Sequence, residues 1–146
     1  MEKVKKYGLI SLIINLILTI GGGVGFAYAL KAINEMEWNG PDMSEYGEMS
    51  MLILGLVGAA MMIALLVPLA HLVLSGFNSL MMLLQVLTGK RGFSVLSILF
   101  SAILVLFNGM FVLGGIFFLV PLVALSLISI VFNIKSLEVK RETTEG

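Results

Sequence analysis

His71 is the single histidine of a chain that contains no cysteine. It lies three residues after Pro68, a residue type that leaves a backbone carbonyl unpaired one turn back in a helix. An ionisable group in an apolar setting can carry protons or bind a ligand. No acid and no second histidine occur in the apolar stretches around it to complete a relay. The expected role is a neutral imidazole hydrogen-bonded to a neighbouring helix or to the freed carbonyl, near the cytoplasmic interface. Asn15, Thr19, Asn78, Asn108, Asn133 and several serines are the other polar residues in or near apolar stretches. Their expected work is hydrogen bonding between helices. A pore lining would need a consistent polar stripe, and none is read on any one stretch.

The remaining candidates weaken on inspection. Met36, Met43, Met49 and Met51 could offer thioether sulfur to Cu(I), and Glu35, Glu37, Asp42, Glu45 and Glu48 could attract a cation. Methionine recurs at 61, 62, 81 and 82, so general apolar filling explains it better. Gly21 to Gly25 reads GGGVG, with no Lys-Ser or Lys-Thr after it and apolar residues on both sides, which excludes a phosphate loop. Intramembrane proteolysis or acyl transfer needs paired acids, a serine–histidine pair or metal ligands, and the apolar stretches hold no acid. No catalytic, cofactor or metal residue is therefore assigned. Disulfides and thiolate chemistry are excluded by the absence of cysteine. Zero net charge without a basic patch excludes a nucleic-acid partner.

The elements that would hold these residues follow from hydropathy. Of 146 residues 59% are hydrophobic and 12% charged, about half the charged share of a soluble domain. The charges leave Tyr7 to Leu30, Met49 to Gly89 and Gly92 to Ile134 uncharged. One helical crossing needs roughly 20 apolar residues, and no alternation of a barrel strand is present. The expected fold is all-α, a polytopic membrane domain of four transmembrane helices with N-in/C-in topology. Its spans are about 8–30, 51–75, 93–112 and 115–134. Lys3, Lys5 and Lys6 hold the N-terminus inside, and Lys90 and Arg91 mark an inside segment over 76–92. Lys135, Lys140 and Arg141 hold the tail 135–146 inside, while 31–50 forms an external acidic loop.

Two turns are expected. Ser75-Gly76-Phe77-Asn78-Ser79 should break the second span, leaving Leu80 to Leu87 as an interfacial or re-entrant helix buried against the bundle. The last two spans should reverse between Asn108-Gly109 and Gly114-Gly115. Ala27-Tyr28-Ala29 imitates a signal-peptide cleavage site, but the preceding apolar run exceeds the usual 7–15 residues, so retention is expected. Gly21, Gly25 and Ala29 share one helix face and should pack on Gly55, Gly58 and Ala59.

The layout of basic tail, span, acidic loop, span, Lys-Arg turn, apolar hairpin and charged tail resembles small four-span bacterial membrane proteins of unknown function. That resemblance implies a bacterial plasma-membrane location and carries no site residue with it. The function expected is non-enzymatic: an accessory, regulatory or immunity-type subunit whose partners are the bilayer and another membrane protein or a second copy. The competing expectation is a small oligomeric transporter or channel.

Overall fold

The computed structural model describes residues 2–36, 48–115 and 117–145. The fold is all-helical, and four of its helices are long and apolar enough to cross a membrane. They are α1 (Glu2–Glu35), α2 (Glu48–Thr88), α3 (Arg91–Leu113) and α4 (Val120–Glu145), with a 3₁₀ turn at Phe117–Leu119.

Neighbouring helices run antiparallel. Gly8 faces Gln85 and Val86, Gly22 faces His71 and Leu72, and Gly25 faces Pro68, so numbers rise along α1 as they fall along α2. Asn78 meets Ser97 and Ser101, and His71 meets Asn108, which sets α3 against α2 the same way. Ser11 meets Ser129, which closes α4 onto α1. The four helices overlap over about 4–28, 66–88, 91–113 and 119–139, each roughly the thickness of a hydrocarbon core.

The connections use glycine where the backbone requires it. Gly89 has φ 66°, a left-handed value that ends α2 while its N–H donates to the Gln85 carbonyl at 2.7 Å. Lys90, extended at φ −75° and ψ 132°, then starts α3. At the other end Gly114 caps α3 and Gly115 takes φ 95°. The reversal falls at Gly114-Gly115, within the expected window, whereas Asn108-Gly109 stays inside α3.

The second span departs from expectation. Ser75 to Ser79 does not break it, and α2 runs unbroken for 41 residues. Intrinsic propensity disfavours serine, asparagine and glycine mid-helix because their side chains compete for backbone groups or supply no packing. Here Asn78 and Ser79 turn inward onto other helices, which offsets that preference. Leu80 to Leu87 is accordingly the last part of α2, with Met82 and Gln85 buried in the bundle. The part of α2 that lies in the bundle is about 66–88 rather than 51–75. Glu48 to Val67 carries on past Pro68 for about 30 Å; with Gly25 against Pro68, α1 accompanies it to Glu35, about half that distance. Likewise α4 continues through the expected tail to Glu145.

The expected packing of Gly25 on Gly55 is also overturned. Gly25 lies against Pro68, while a Cβ on Gly55 or Gly58 would meet nothing within 4 Å. Matching the two spans by depth assumed that both ended at one boundary, and α2 overshoots it. Gly22 makes the closest approach instead: a Cβ there would fall 2.9 Å from His71 Cδ2 and 3.0 Å from the Leu72 Cα.

Candidate functional site

Serine and asparagine recur at intervals of three, four and seven on two helices. On α3 they are Ser94, Ser97, Ser101 and Asn108, and on α4 Ser126, Ser129, Asn133 and Ser136; all eight are buried. Such spacing puts a set of side chains on one helix face. Ser11 and Asn15 on α1, and His71, Ser75, Asn78, Ser79 and Gln85 on α2, are buried opposite them. Buried apolar side chains are few by comparison: Ile14, Leu18, Met82, Leu104 and Leu119 among the described residues. Leucine, isoleucine and methionine cover the outside, for example Leu99, Leu106 and Met110. The molecule is polar within and apolar without. A consistent polar stripe, unexpected from the sequence, therefore exists on each helix.

The seam is knit by its own hydrogen bonds. Asn78 donates through Nδ2 to Asn15 Oδ1 and to Ser101 Oγ, both at 2.7 Å, and its Oδ1 accepts from the Ser97 hydroxyl. Asn15 donates to Ser129 Oγ at 2.9 Å and to the Ser11 carbonyl. Asn133 donates to Ser97 Oγ at 2.9 Å, and Gln85 to Ser136 Oγ at 2.9 Å. Thr19 and Ser79 pair at 3.0 Å. Each of the four helices is thus tied to every neighbour. Among the described residues, the buried side-chain atoms without a partner are Gln85 Oε1 and Asn133 Oδ1. Asn15, Asn78, Ser97, Ser101 and Ser129 are fully covered in this seam, and their polar groups turn on one another.

At the upper end of the seam, towards Gly114, His71 bridges two helices. Its Nε2 lies 3.3 Å from the Leu18 carbonyl of α1, and its Nδ1 lies 3.2 Å from Asn108 Nδ2 of α3. A carbonyl only accepts, so Nε2 carries the proton and Nδ1 must accept from Asn108. The second amide hydrogen of Asn108 goes to the Leu104 carbonyl at 2.9 Å. The network fixes both the imidazole tautomer and the amide orientation. His71 is therefore a hydrogen-bonded neutral ring, as expected, but it holds α1 and α3 rather than the carbonyl freed by Pro68. Its place is the Gly114 half of the bundle, not the end that holds Lys90.

Above this pair lies a cavity of about 580 Å³. Gly21 and Gly25 of α1, Val67 and Pro68 of α2, Phe111 of α3 and Leu122 of α4 form its walls. His71 and Asn108 lie at its polar end. Among the described residues, no charged side chain lines it. Of the GGGVG run, then, Gly22 allows close helix packing while Gly21 and Gly25 leave room for the cavity.

No family model matches the chain, and no characterised protein or solved structure matches it either.

Several sequence candidates do not converge on this site. Among the described residues no three metal-binding side chains of histidine, acid or cysteine type gather. Glu37, Asp42, Met43 and Glu45 of the acidic loop lie outside the described residues, and Lys31 pairs with Glu35 at 3.7 Å on the surface. Met49 and Met51 are exposed on α2. Asn15, Thr19, Asn78, Asn108 and Asn133 all bond across helices or tie a neighbour in place, which is their expected role. The three-and-four spacing of serines on α3 and α4 was the missed signal. Each serine is weakly polar alone, and only the periodicity shows that they share a face.

Proposed function

We propose that the protein is a non-enzymatic integral membrane protein of the accessory or regulatory kind, acting through helix–helix contacts made by the N-terminal half of α2. A polar interior under an apolar surface suits lipid, where interhelical hydrogen bonds and close packing replace the hydrophobic drive to fold. The N-terminus of α1, the Gly89-Lys90 turn and the C-terminal part of α4 lie at one end of the bundle, as the Gln85–Ser136 bond and the contact of Ser136 with the Val4 carbonyl require. That end gathers Lys3, Lys5, Lys6, Lys90, Arg91 and Lys135. The positive-inside rule makes it cytoplasmic, which gives N-in/C-in topology in the plasma membrane, with the acidic loop outside. A bacterial host follows from the resemblance in layout.

The observation that carries the reading is the bare half of α2. Met51, Leu52, Leu54, Leu56, Met62 and Ile63 are exposed there, and no described side chain approaches Gly55 or Gly58 within 4 Å. An apolar helix of 41 residues reaches about 60 Å, against a hydrocarbon core of about 30 Å. Upright, it would extend about 30 Å past that core. Gly55 and Ala59, one turn apart and both exposed, offer a face on which another helix can lie close. A photocrosslinking residue at Gly55 should give one discrete adduct with a different membrane protein, while the same residue at exposed Leu99 should react with lipid alone. A dimer-sized adduct would assign the face to self-association, and lipid adducts at both positions would reject docking.

The polar seam favours a second reading, a small oligomeric transporter. Its closure by internal hydrogen bonds argues against a conduit within one copy.

A further inference from the structure

The cavity above His71 and Asn108 differs from an ordinary packing gap in three respects. At about 580 Å³ it falls in the range of small-molecule sites. Its walls come from all four helices. Its one polar end is chemically defined, because the Leu18 carbonyl holds the proton on His71 Nε2 and Asn108 spends both amide hydrogens on His71 Nδ1 and the Leu104 carbonyl. What Asn108 has left to offer is an acceptor, the carbonyl Oδ1.

We propose that this cavity binds an uncharged amphiphile bearing a hydroxyl, its O–H donated to Asn108 Oδ1 and its hydrocarbon chain laid along Gly21, Gly25, Pro68 and Phe111. An acceptor selects a donor and turns away an ionised carboxylate, sulfate or phosphate, which presents only further acceptors. A charged head would also meet no counter-charge among the described lining residues, and burial without one is costly. The glycines supply the room for the chain. A Cβ at Gly21 would come no closer than 4.0 Å to Leu122 Cδ2, so a larger side chain there grows into the cavity rather than into backbone. The cavity shares Ile63 with the exposed outer half of α2, but its test reads Gly21 and Asn108, which that face does not use.

The test uses the purified full chain in phosphatidylcholine nanodiscs with a photoactivatable sixteen-carbon alcohol. Labelling should saturate at one probe per chain and map to the peptides holding Gly21–Gly25 and Phe111. A matched hydrocarbon without the hydroxyl should compete at least about fivefold less well, the worth of one hydrogen bond. A matched alkyl sulfate should not compete. Gly21→Leu, which fills the cavity and leaves the His71–Asn108 pair intact, should cut labelling at least about fivefold, as should Asn108→Ala. Unfolding is followed for both variants, and Gly21→Leu decides alone if Asn108→Ala loses its fold. Labelling that never saturates, that the hydrocarbon matches, or that survives Gly21→Leu in full would overturn the proposal.

Discussion

Asn78 joins three helices through one amide. Its two hydrogens and its carbonyl oxygen are all engaged, by Asn15, Ser101 and Ser97. Thr19 makes a different kind of contact, because its hydroxyl also donates to the Asn15 carbonyl of its own helix at 2.8 Å and stays satisfied without Ser79. Interhelical hydrogen bonds within a membrane average about 0.6 kcal/mol and reach about 1.7 kcal/mol. Asn78→Ala removes three at once and should lower stability by about 2 kcal/mol in reversible unfolding from detergent into SDS. Thr19→Ala should cost well under 1 kcal/mol. Equal losses at the two positions would mean that the seam does not hold the bundle together.

The elements were legible in the sequence where charge and glycine mark them, and illegible where tertiary contacts decide. Gly114-Gly115 turns the last hairpin because a φ of 95° at Gly115 suits glycine, and Lys90-Arg91 flanks the other turn. The α2 helix could not be read the same way. Ser75-Gly76-Phe77-Asn78-Ser79 has the composition of a break, yet Asn78 and Ser79 are satisfied by residues 60 or more positions away on α1 and by residues on α3, while Ser75 donates to the Leu72 carbonyl of its own helix. A propensity argument does not see those partners. The same misplacement of α2 moved its glycines, so that Gly55 was matched to Gly25. The candidate site was half legible: His71 and the asparagines stand out by type, but the cavity depends on the register of α1 against α2. That register is testable, because a Cβ at Gly25 would sit 3.7 Å from the Pro68 Cβ, within the span of a disulfide. Cysteines at Gly25 and Pro68 should close an intramolecular bond under mild oxidation, and cysteines at Gly25 and Gly55 should not. The reverse pattern would restore the depth-matched hairpin and remove the cavity.

For the molecule as a whole, the hydrogen-bonded polar interior, the basic end and the exposed half of α2 are what the proposed function rests on: a bundle held together inside by hydrogen bonds, which we propose is oriented by its lysines and docks a partner through α2. Its central claim is that the seam is structural and dry. The chain has no cysteine, so a single introduced thiol reports on one position only. Ser101, fully buried between Asn78 and Ser129, sits in the middle of the seam, and cysteine is close to it in size. The direct measurement is the reaction of single cysteines at Asn39, Gly89 and Ser101 with an impermeant thiol reagent, applied first to intact cells and then to inverted membrane vesicles. Position 39 should label only from outside and position 89 only from the cytoplasmic face, while position 101 should label from neither. Ready labelling at position 101 from either side would show a water-filled path through the bundle and would contradict the closed seam in favour of a transporter.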